Sequence, residues 1–404
     1  MGDAVEREVA RAISSCRAMI TEYCAWNEKR VHGETFSTMY GDIFEFVNIR
    51  METAESCLLL LENDKVADSL GLSRSLLEHY LLFLLMCRGN KYFQLVDLSG
   101  ENLSEGQFKV RLREEQKKLD ALRAEGKSHC LEVRKYRRAK HRLMYVFEGL
   151  KDTVDPDFLI PLHFFQYQQF RPDVMRLKDE NYFQYYEDEA DIKKVLRDNQ
   201  NGEAWRYKNY LSYDALLQCL ELNNLATPAV MHRIEAHYTF LGKFLHPTNG
   251  AARDLHEQNN WHSGESGVGI GQPYTTRAKL LAALYLCYSM ASLLQEVTGL
   301  TDRAPRKHYA DSGTADLWSA IRSVSVDFPY FWFLFNDAPL YDRYLYCIHH
   351  ASAEDLAEWG GYEGVPLEKV PFNQHIYSHF SDSLNGWSNI RWGSYLPAVR
   401  HRGQ

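Results

Sequence analysis

Paired cysteines are lacking in this sequence. Its 404 residues include eight cysteines, which stand singly and never form a Cys-x-x-Cys pair. A disulfide-rich secreted domain needs a denser cysteine framework, so that class is excluded. We expect small core residues in apolar segments at Cys16, Cys24, Cys57, Cys87, Cys130, Cys219, Cys287 and Cys347.

Long hydrophobic runs are lacking as well. The longest uncharged stretch, Leu280 to Gln295, contains tyrosines and serines and falls short of the roughly 20 apolar residues that a membrane-spanning helix needs. The first residues, Met1 to Glu8, include acidic side chains and no apolar segment of a secretory signal. We therefore expect a cytoplasmic protein that does not associate with a membrane, and a buried core helix at Leu280 to Gln295.

The chain also has no excess of positive charge. Its formal net charge of −8 opposes general attraction to phosphate backbones, so only a local basic patch could bind nucleic acid. Hydrophobic residues make up 45% and charged residues 25%, as in ordinary globular proteins. At roughly 100 to 200 residues per domain, the length predicts two or three units.

Helical periodicity dominates what is present. Apolar residues recur at steps of three and four in the first 30 residues, and similar spacing returns at 35–61, 67–86, 213–220, 228–245 and 275–297. The pattern predicts an all-α fold. We expect an N-terminal helix at 1–34, a helical bundle at 35–300 and a C-terminal extension at 301–404.

A charged insertion interrupts this bundle at 103–150, where lysine, arginine and glutamate dominate between Lys109 and Lys127. We predict a projecting helical hairpin. Its return arm is either a solvated helix face or a surface for RNA or an acidic partner. The six basic residues of that arm are Arg134, Lys135, Arg137, Arg138, Lys140 and Arg142.

Aromatic residues are concentrated in the C-terminal extension, which contains the run Phe328 to Phe335. Large aromatic side chains usually belong to a core, so we expect the extension to pack on the bundle. The alternative is a surface that stacks nucleobases. Five of the eight tryptophans of the chain lie here, at Trp318, Trp332, Trp359, Trp387 and Trp392.

Polar residues interrupt the most hydrophobic helix of the chain at Arg74, Glu78 and His79. Burial of an unpaired charge is costly, so each of them needs a partner. Arg74 and Glu78 stand four residues apart, which places them on one helix face as a candidate ion pair. His246 ends a later helix directly before a proline, and Arg74 or Glu78 could meet it if the two helices are neighbours.

Two motifs carry a resemblance to known families. Arg74-Ser-Leu-Leu-Glu78, followed by Tyr238-x-x-x-Gly242-x-x-x-His246, resembles a bacterial helical domain family of unknown function, and the similarity covers residues 35–297. Arg74-x-x-x-x-His79 is similar to the Arg-x(4–6)-His motif of HEPN proteins, helical bundles that often act as metal-independent ribonucleases. Ser75 departs from the Asn, Asp or His that commonly follows the arginine in that family.

The HEPN resemblance implies a site and a reaction. Arg74 would stabilise the phosphate, and His79 would assist proton transfer as a 2′-hydroxyl attacks, with help from Glu78 and His246. A five-residue step rotates about 140° on an ideal helix, so Arg74 and His79 need a helix irregularity or a second subunit to meet. The resemblance thus implies a homodimer that binds RNA, uses no metal or cofactor, and acts in bacterial stress or phage defence.

Two other interpretations remain open. In the first, the protein is a non-enzymatic interaction or sensor module, and Arg74, Glu78 and His246 only fix the helical core. In the second, histidines and a carboxylate beside the loop after residue 246 bind a metal, although their spacing fits no known template. These candidate ligands are His246, Asp254, His256 and His262.

Overall fold

The computed structural model of the protein describes residues 2–29, 39–89, 91–128, 130–136, 141–148, 170–171, 176–177, 212–246, 248, 251–256, 273–303, 313–332, 334–335, 340–372 and 374–390. The helices are α1 (Gly2–Glu28), α2 (Met39–Glu62), α3 (Val66–Arg88), α4 (Glu105–Ala124), α5 (Tyr213–Leu222), α6 (Pro228–Leu245), α7 (Thr276–Asp302), α8 (Ala315–Asp327), α9 (Pro329–Trp332), α10 (Leu340–His350), α11 (Ala353–Trp359) and α12 (Ile376–Ile390). The strands are β1 (Lys91–Asp97), β2 (Cys130–Lys135), β3 (Arg142–Glu148), β4 (Phe170–Arg171) and β5 (Arg176–Leu177).

Helices dominate the described residues, so the predicted all-α fold class is confirmed. Local sequence explains where several of them begin. Thr227 accepts a hydrogen bond from the Val230 amide and precedes Pro228, the pattern that starts α6. Ser104 and Gln107 form a reciprocal capping box at the start of α4.

The chain divides into two compact units. The first consists of Met1–Tyr80 with Thr227–Gln404, and the second of Leu81–Ala226. The first unit therefore includes α1, the central helices and the aromatic-rich C-terminal helices in one body. The predicted boundaries at residues 34 and 300 do not separate compact units, because helices on both sides of them pack together.

The core of the first unit is α7, which is buried on nearly all sides and contacts α1, α2 and α8. The core helix predicted at Leu280 to Gln295 is thus observed. By length and hydropathy alone α7 could cross a membrane, but 89% of its most apolar 18-residue window is buried inside the protein. Core helices of soluble proteins pass the same test, so α7 is weak evidence for a membrane span.

The aromatic run after α8 also belongs to this core, as predicted. Phe328, Tyr330, Phe331 and Phe335 are buried, and the Tyr330 hydroxyl donates a hydrogen bond of 2.6 Å to Glu8 of α1. Glu8 is only 6% exposed, and its carboxylate also accepts a hydrogen bond of 2.5 Å from Arg11. The contact ties the C-terminal region to α1. The side chains of Trp387 and Trp392 lie outside the described residues.

The second unit corrects the prediction for the charged insertion. Its first arm is a helix, α4, but we also predicted a helix for the basic return arm, and its described residues Arg134, Lys135 and Arg142 belong to strands β2 and β3. β3 lies between β1 and β2 and is antiparallel to both. Charge density suggested a helix face, whereas β-branched and aromatic residues such as Val133, Tyr145 and Val146 favour strands. α4 covers the sheet through a core that includes Phe108, Leu119 and Leu143.

Replacing Tyr330 with phenylalanine tests the contact between α1 and the aromatic run. The change removes a hydrogen bond to a buried carboxylate, and a bond to a charged group contributes about 1.5–3 kcal/mol, so Tyr330→Phe should lower the free energy of unfolding by about that amount. The measurement is urea denaturation at neutral pH. Tyr344→Phe is the matched control because Tyr344 is 47% exposed. Equal stability of the two variants would contradict the role given to Glu8.

Candidate functional site

The candidate site forms where α3 meets α6 in the first unit. A Cβ atom built on Gly71 would lie 3.4 Å from the Phe244 carbonyl oxygen and 3.4 Å from Leu245 Cδ2. An added methyl group would make ordinary contact with the end of α6 there, and a larger side chain would press on it. The glycine lets the two helices approach closely at the level of Arg74 and His246.

Arg74 turns from α3 toward α6. Its Nη1 donates a hydrogen bond of 3.1 Å to His246 Nε2, and its Nη2 donates to the Tyr238 hydroxyl. The guanidinium carbon also lies 4.1 Å from the centre of the Tyr238 ring. The predicted meeting of Arg74 with His246 is confirmed. Because a guanidinium can only donate, His246 accepts with Nε2 and carries its ring proton on Nδ1.

Gly242 makes room for this arrangement. It lies one turn after Tyr238 and one turn before His246, on the same stripe of α6. A Cβ atom at Gly242 would lie 3.6 Å from Arg74 Nη1, which is ordinary contact, and a larger side chain would meet the guanidinium. We call Arg74, Glu78, Tyr238 and His246 the Arg74 cluster.

Glu78 belongs to the same face of α3 but does not pair with Arg74. Within the described part of the chain the two side chains form no ion pair within 4.0 Å, so the predicted Arg74–Glu78 pair is wrong. Arg74 directs its donors to Tyr238 and His246 instead. Burial raises the pKa of the Glu78 carboxyl above its ordinary value, and the positive charge of Arg74 offsets only part of this effect.

His79 lies apart from the Arg74 cluster. Its ring contacts Arg50 of α2, whose Nη1 is 2.7 Å from Nδ1 and 2.8 Å from Nε2. Phe46, also on α2, lies nearly perpendicular to the His79 ring, with ring centres 6.2 Å apart. The regular helix therefore directs Arg74 to α6 and His79 to α2, and no irregularity of α3 brings them together within the chain.

Sequence reasoning overlooked two of these partners. Tyr238 was part of the quoted motif but was given no role, and Arg50 was not considered. The signal for Arg50 was its position beside the apolar residues Val47 and Met51 of α2, where an arginine also needs a partner. Which helix supplies that partner depends on the packing of α2 against α3, and the sequence alone does not specify it.

The predicted RNA-binding residues lie in the second unit. Among those described, Arg142 of β3 pairs with Asp97 at 3.1 Å, and Arg134 of β2 pairs with Glu132 at 3.7 Å. The amine of Lys135 lies 6.0 Å from the centre of the Phe108 ring. Arg137, Arg138 and Lys140 lie outside the described residues.

The candidate metal ligands are not gathered by the structure. His246 bonds to Arg74, whereas His256 stacks on Tyr274 with ring centres 4.4 Å apart. The Asp254 side chain and His262 lie outside the described residues. In the part of the chain that the structure describes, no three residues of the types His, Cys, Asp and Glu form a group that could hold a metal ion.

Another histidine of α6, His237, has a structural environment. It is fully buried and stacks on Phe335 with ring centres 3.7 Å apart. Its Nε2 donates to the Leu334 carbonyl oxygen at 3.1 Å, so Nδ1 accepts from the Tyr285 hydroxyl at 2.6 Å. Burial lowers the pKa of His237 to about 3. Such a closed, neutral histidine fixes α6 against the aromatic core.

Comparison of the chain with known protein families, with curated protein sequences and with solved structures finds no match. The similarity to HEPN proteins and to the bacterial helical domain family therefore stays a prediction from motifs.

The pH dependence of stability tests the position of His79. Burial, followed by the charge of Arg50, lowers the pKa of His79 to about 4, whereas an unfolded histidine titrates near 6.5. As the pH falls from about 6.5 toward 4, the unfolded chain gains a proton that the folded protein excludes, so stability is lost in that range. Between pH 7 and pH 5 this residue should account for about 2 kcal/mol of the loss.

The measurement is denaturant unfolding at several pH values. His79→Gln should flatten the dependence by that amount because glutamine does not titrate. His349→Gln replaces an exposed histidine and should leave the dependence unchanged. Parallel curves for the parent protein and His79→Gln would contradict the partly buried, neutral state of His79.

Proposed function

We propose that the protein is a metal-independent endoribonuclease that acts at the Arg74 cluster. One observation carries the proposal: the Arg74 guanidinium lies against the exposed imidazole of His246, and a carboxyl group with a raised pKa, that of Glu78, stands one turn along α3. A fixed cation, an imidazole and a partly buried carboxyl group are the groups that phosphodiester transfer needs.

Arg74 would bind the scissile phosphate. A guanidinium can donate two parallel hydrogen bonds to a phosphate, and its charge stabilises the negative charge that develops on the oxygens in the transition state. Tyr238 holds the guanidinium from one side through its hydroxyl and its ring. The bound phosphate would replace His246 as the partner of Nη1, which leaves Tyr238 to keep the orientation.

Glu78 would act as the general base. Its carboxylate takes the proton of the 2′-hydroxyl, and the freed oxygen bonds to the adjacent phosphorus. The raised pKa makes this carboxylate a stronger base than an ordinary glutamate.

His246 would act as the general acid. Its protonated imidazole gives a proton to the departing 5′-oxygen as the phosphorus–oxygen bond breaks. The products are a 2′,3′-cyclic phosphate and a 5′-hydroxyl, with no water or metal consumed.

This assignment differs from the one that the HEPN resemblance implies. His246 takes the place of His79 as the proton donor, because His79 contacts Arg50 on the opposite side of α3. A homodimer is not needed to complete the proposed cluster, since every member belongs to one chain. The expected setting, RNA cleavage in bacterial stress or phage defence, is unchanged, and Arg134, Lys135 and Arg142 remain candidates for further RNA contacts.

A non-enzymatic interaction or sensor module is the second candidate. It is favoured by the hydrogen bonds of Arg74 to Tyr238 and His246, which form a polar connection between α3 and α6 without any ligand. In that case the cluster only stabilises the contact between the two helices. The two candidates differ in what the loss of His246 does, because an exposed histidine contributes little to stability and much to catalysis.

An RNA cleavage assay with variants tests the proposal. The parent protein should cleave an unstructured RNA in the presence of EDTA and leave 2′,3′-cyclic phosphate ends. His246→Ala removes the general acid and should lower kcat by about 10²–10⁴-fold. Arg74→Ala removes the phosphate contact and should lower kcat by about 10²–10³-fold.

His256→Ala is the control, because His256 is also a partly exposed histidine close to α6 in sequence and stacks on Tyr274 away from Arg74. It should keep the parent rate. Melting curves of all variants accompany the assay, and His246→Ala should melt close to the parent protein. Absence of cleavage by the parent protein, or a His246→Ala variant as active as the parent, would refute the nuclease and leave the interaction module.

The pH–rate profile tests Glu78 separately. A general base works only when it is deprotonated, so kcat/KM should fall as the pH drops through the raised pKa of Glu78. The acidic limb should therefore lie above the pH at which an ordinary glutamate titrates. Glu78→Gln should show low activity and no such limb, whereas Glu354→Gln, at an exposed position of α11, should keep the limb in place. A limb that persists in Glu78→Gln would assign the base to another group.

A further inference from the structure

An open groove lies beside the Arg74 cluster on the next stripe of α6. It has a volume of about 520 Å³, and its walls are α6, the start of α12 and the short segment around Leu255. We call it the α6–α12 groove. Sites for small molecules commonly measure about 300–1,000 Å³, so the groove is large enough for one nucleotide.

We propose that the α6–α12 groove binds one nucleotide of the RNA strand next to the cleaved bond. The inference rests on the proposed ribonuclease and adds the class of substrate, an unpaired RNA segment. Base and sugar of that nucleotide occupy the groove, and its phosphate lies at the end of the groove near Lys243.

Lys243 places a positive charge at the end of the groove next to His246. It lines the groove and stands three residues before His246, so the two side chains are neighbours on α6 with Cβ atoms about 5–6 Å apart. Lys243 is exposed, and it has no ion-pair partner among the described residues. A strand whose scissile phosphate meets Arg74 therefore meets a second cation at the entrance of the groove.

Polarity changes along the groove. Glu235 also lines it, and the step of eight positions from Glu235 to Lys243 corresponds to about 12 Å along the helix axis. A carboxylate accepts hydrogen bonds from the amino and imino groups of a base, whereas a lysine binds phosphate. The groove thus presents a hydrogen-bond acceptor at one end and a cation at the other. This arrangement matches a nucleotide and not a simple anion.

The wall opposite α6 is polar as well. Gln374 and His232 both line the groove and contact each other, with 2.9 Å between Gln374 Nε2 and His232 Nε2. The amide group must donate there, so His232 carries its proton on Nδ1. The apolar part of the lining comes from Phe240 and Ile376, which are themselves buried and leave little surface open to the groove.

A duplex would not fit such a groove. A base has to leave its stack to enter a site between two helices, and recognition of unstacked bases is how proteins read single-stranded RNA. The expected substrate is therefore a loop, a bulge or a single strand.

Isothermal titration calorimetry with nucleoside 5′-monophosphates tests the groove without cleavage. AMP, CMP, GMP and UMP are the probes, together with the four nucleosides that lack phosphate. At least one monophosphate should bind, and the matching nucleoside should bind about tenfold more weakly. Lys243→Ala should weaken the monophosphate to the level of the nucleoside.

Two variants fill the groove from opposite walls. Thr239→Trp and Ser378→Trp replace exposed residues that line it, so both should fold, and each should abolish nucleotide binding. His349→Ala changes an exposed histidine of α10 that does not line the groove, and it should keep binding at the parent affinity. Retained affinity in both tryptophan variants, or no binding of any of the four monophosphates to the parent protein, would overturn the proposal.

The failures of the two proposals are distinguishable. Nucleotide binding by a parent protein that does not cleave RNA would support the nucleotide site in the groove and refute the ribonuclease proposal. In the opposite case, RNA cleavage is unchanged in Thr239→Trp and Ser378→Trp and is equal on single-stranded and duplex substrates. That result would support the ribonuclease proposal and refute the nucleotide site in the groove.

Discussion

The need of buried polar groups for partners organises the region around α3. This helix is apolar on most of its surface, yet it carries serines, an arginine, a glutamate and a histidine. The Ser69 hydroxyl donates a hydrogen bond of 2.9 Å to the Cys57 carbonyl oxygen of α2. The Ser73 hydroxyl donates one of 2.7 Å to the Ser69 carbonyl oxygen, one turn back on α3. Arg74 and His79 are too large for such local bonds. Each of them therefore bonds to a neighbouring helix, and the helical twist decides which one.

The two sides of α3 therefore differ in character. On the α2 side, Arg50 and Phe46 enclose His79 and keep it neutral, which suits a core contact. On the α6 side, the partner of Arg74 is an exposed histidine, so the contact is open to a ligand. The buried His237, one residue before Tyr238, anchors α6 to the aromatic core and so fixes the direction in which Tyr238 points.

Much of the fold could be predicted from the sequence because its signals are local. The spacing of apolar residues located α1, α3, α6 and α7, and the density of aromatics located the buried run after α8. The strands of the second unit could not be predicted in this way. High charge hid the short alternating patterns of β2 and β3, and a sheet depends on pairing between segments that are distant in sequence.

The candidate site was predicted in part for the same reason. Arg74 and His246 were expected to meet if their helices were neighbours, and they do. The Arg74–Glu78 pair was expected from four-residue spacing alone, but spacing permits a contact without requiring it. The guanidinium bonds to Tyr238 and His246 instead. Arg50 and the α6–α12 groove arise from the packing of helices that are far apart in the chain.

The central claim is that the Arg74 cluster promotes attack of a 2′-hydroxyl on the adjacent phosphate. The most direct measurement compares two single-stranded RNA oligonucleotides in EDTA, one unmodified and one with a 2′-O-methyl group at the position that is cleaved. The account predicts cleavage of the first and resistance of the second at that position, because the methyl group removes the nucleophile. Cleavage of both at the same rate, or of neither, would contradict it.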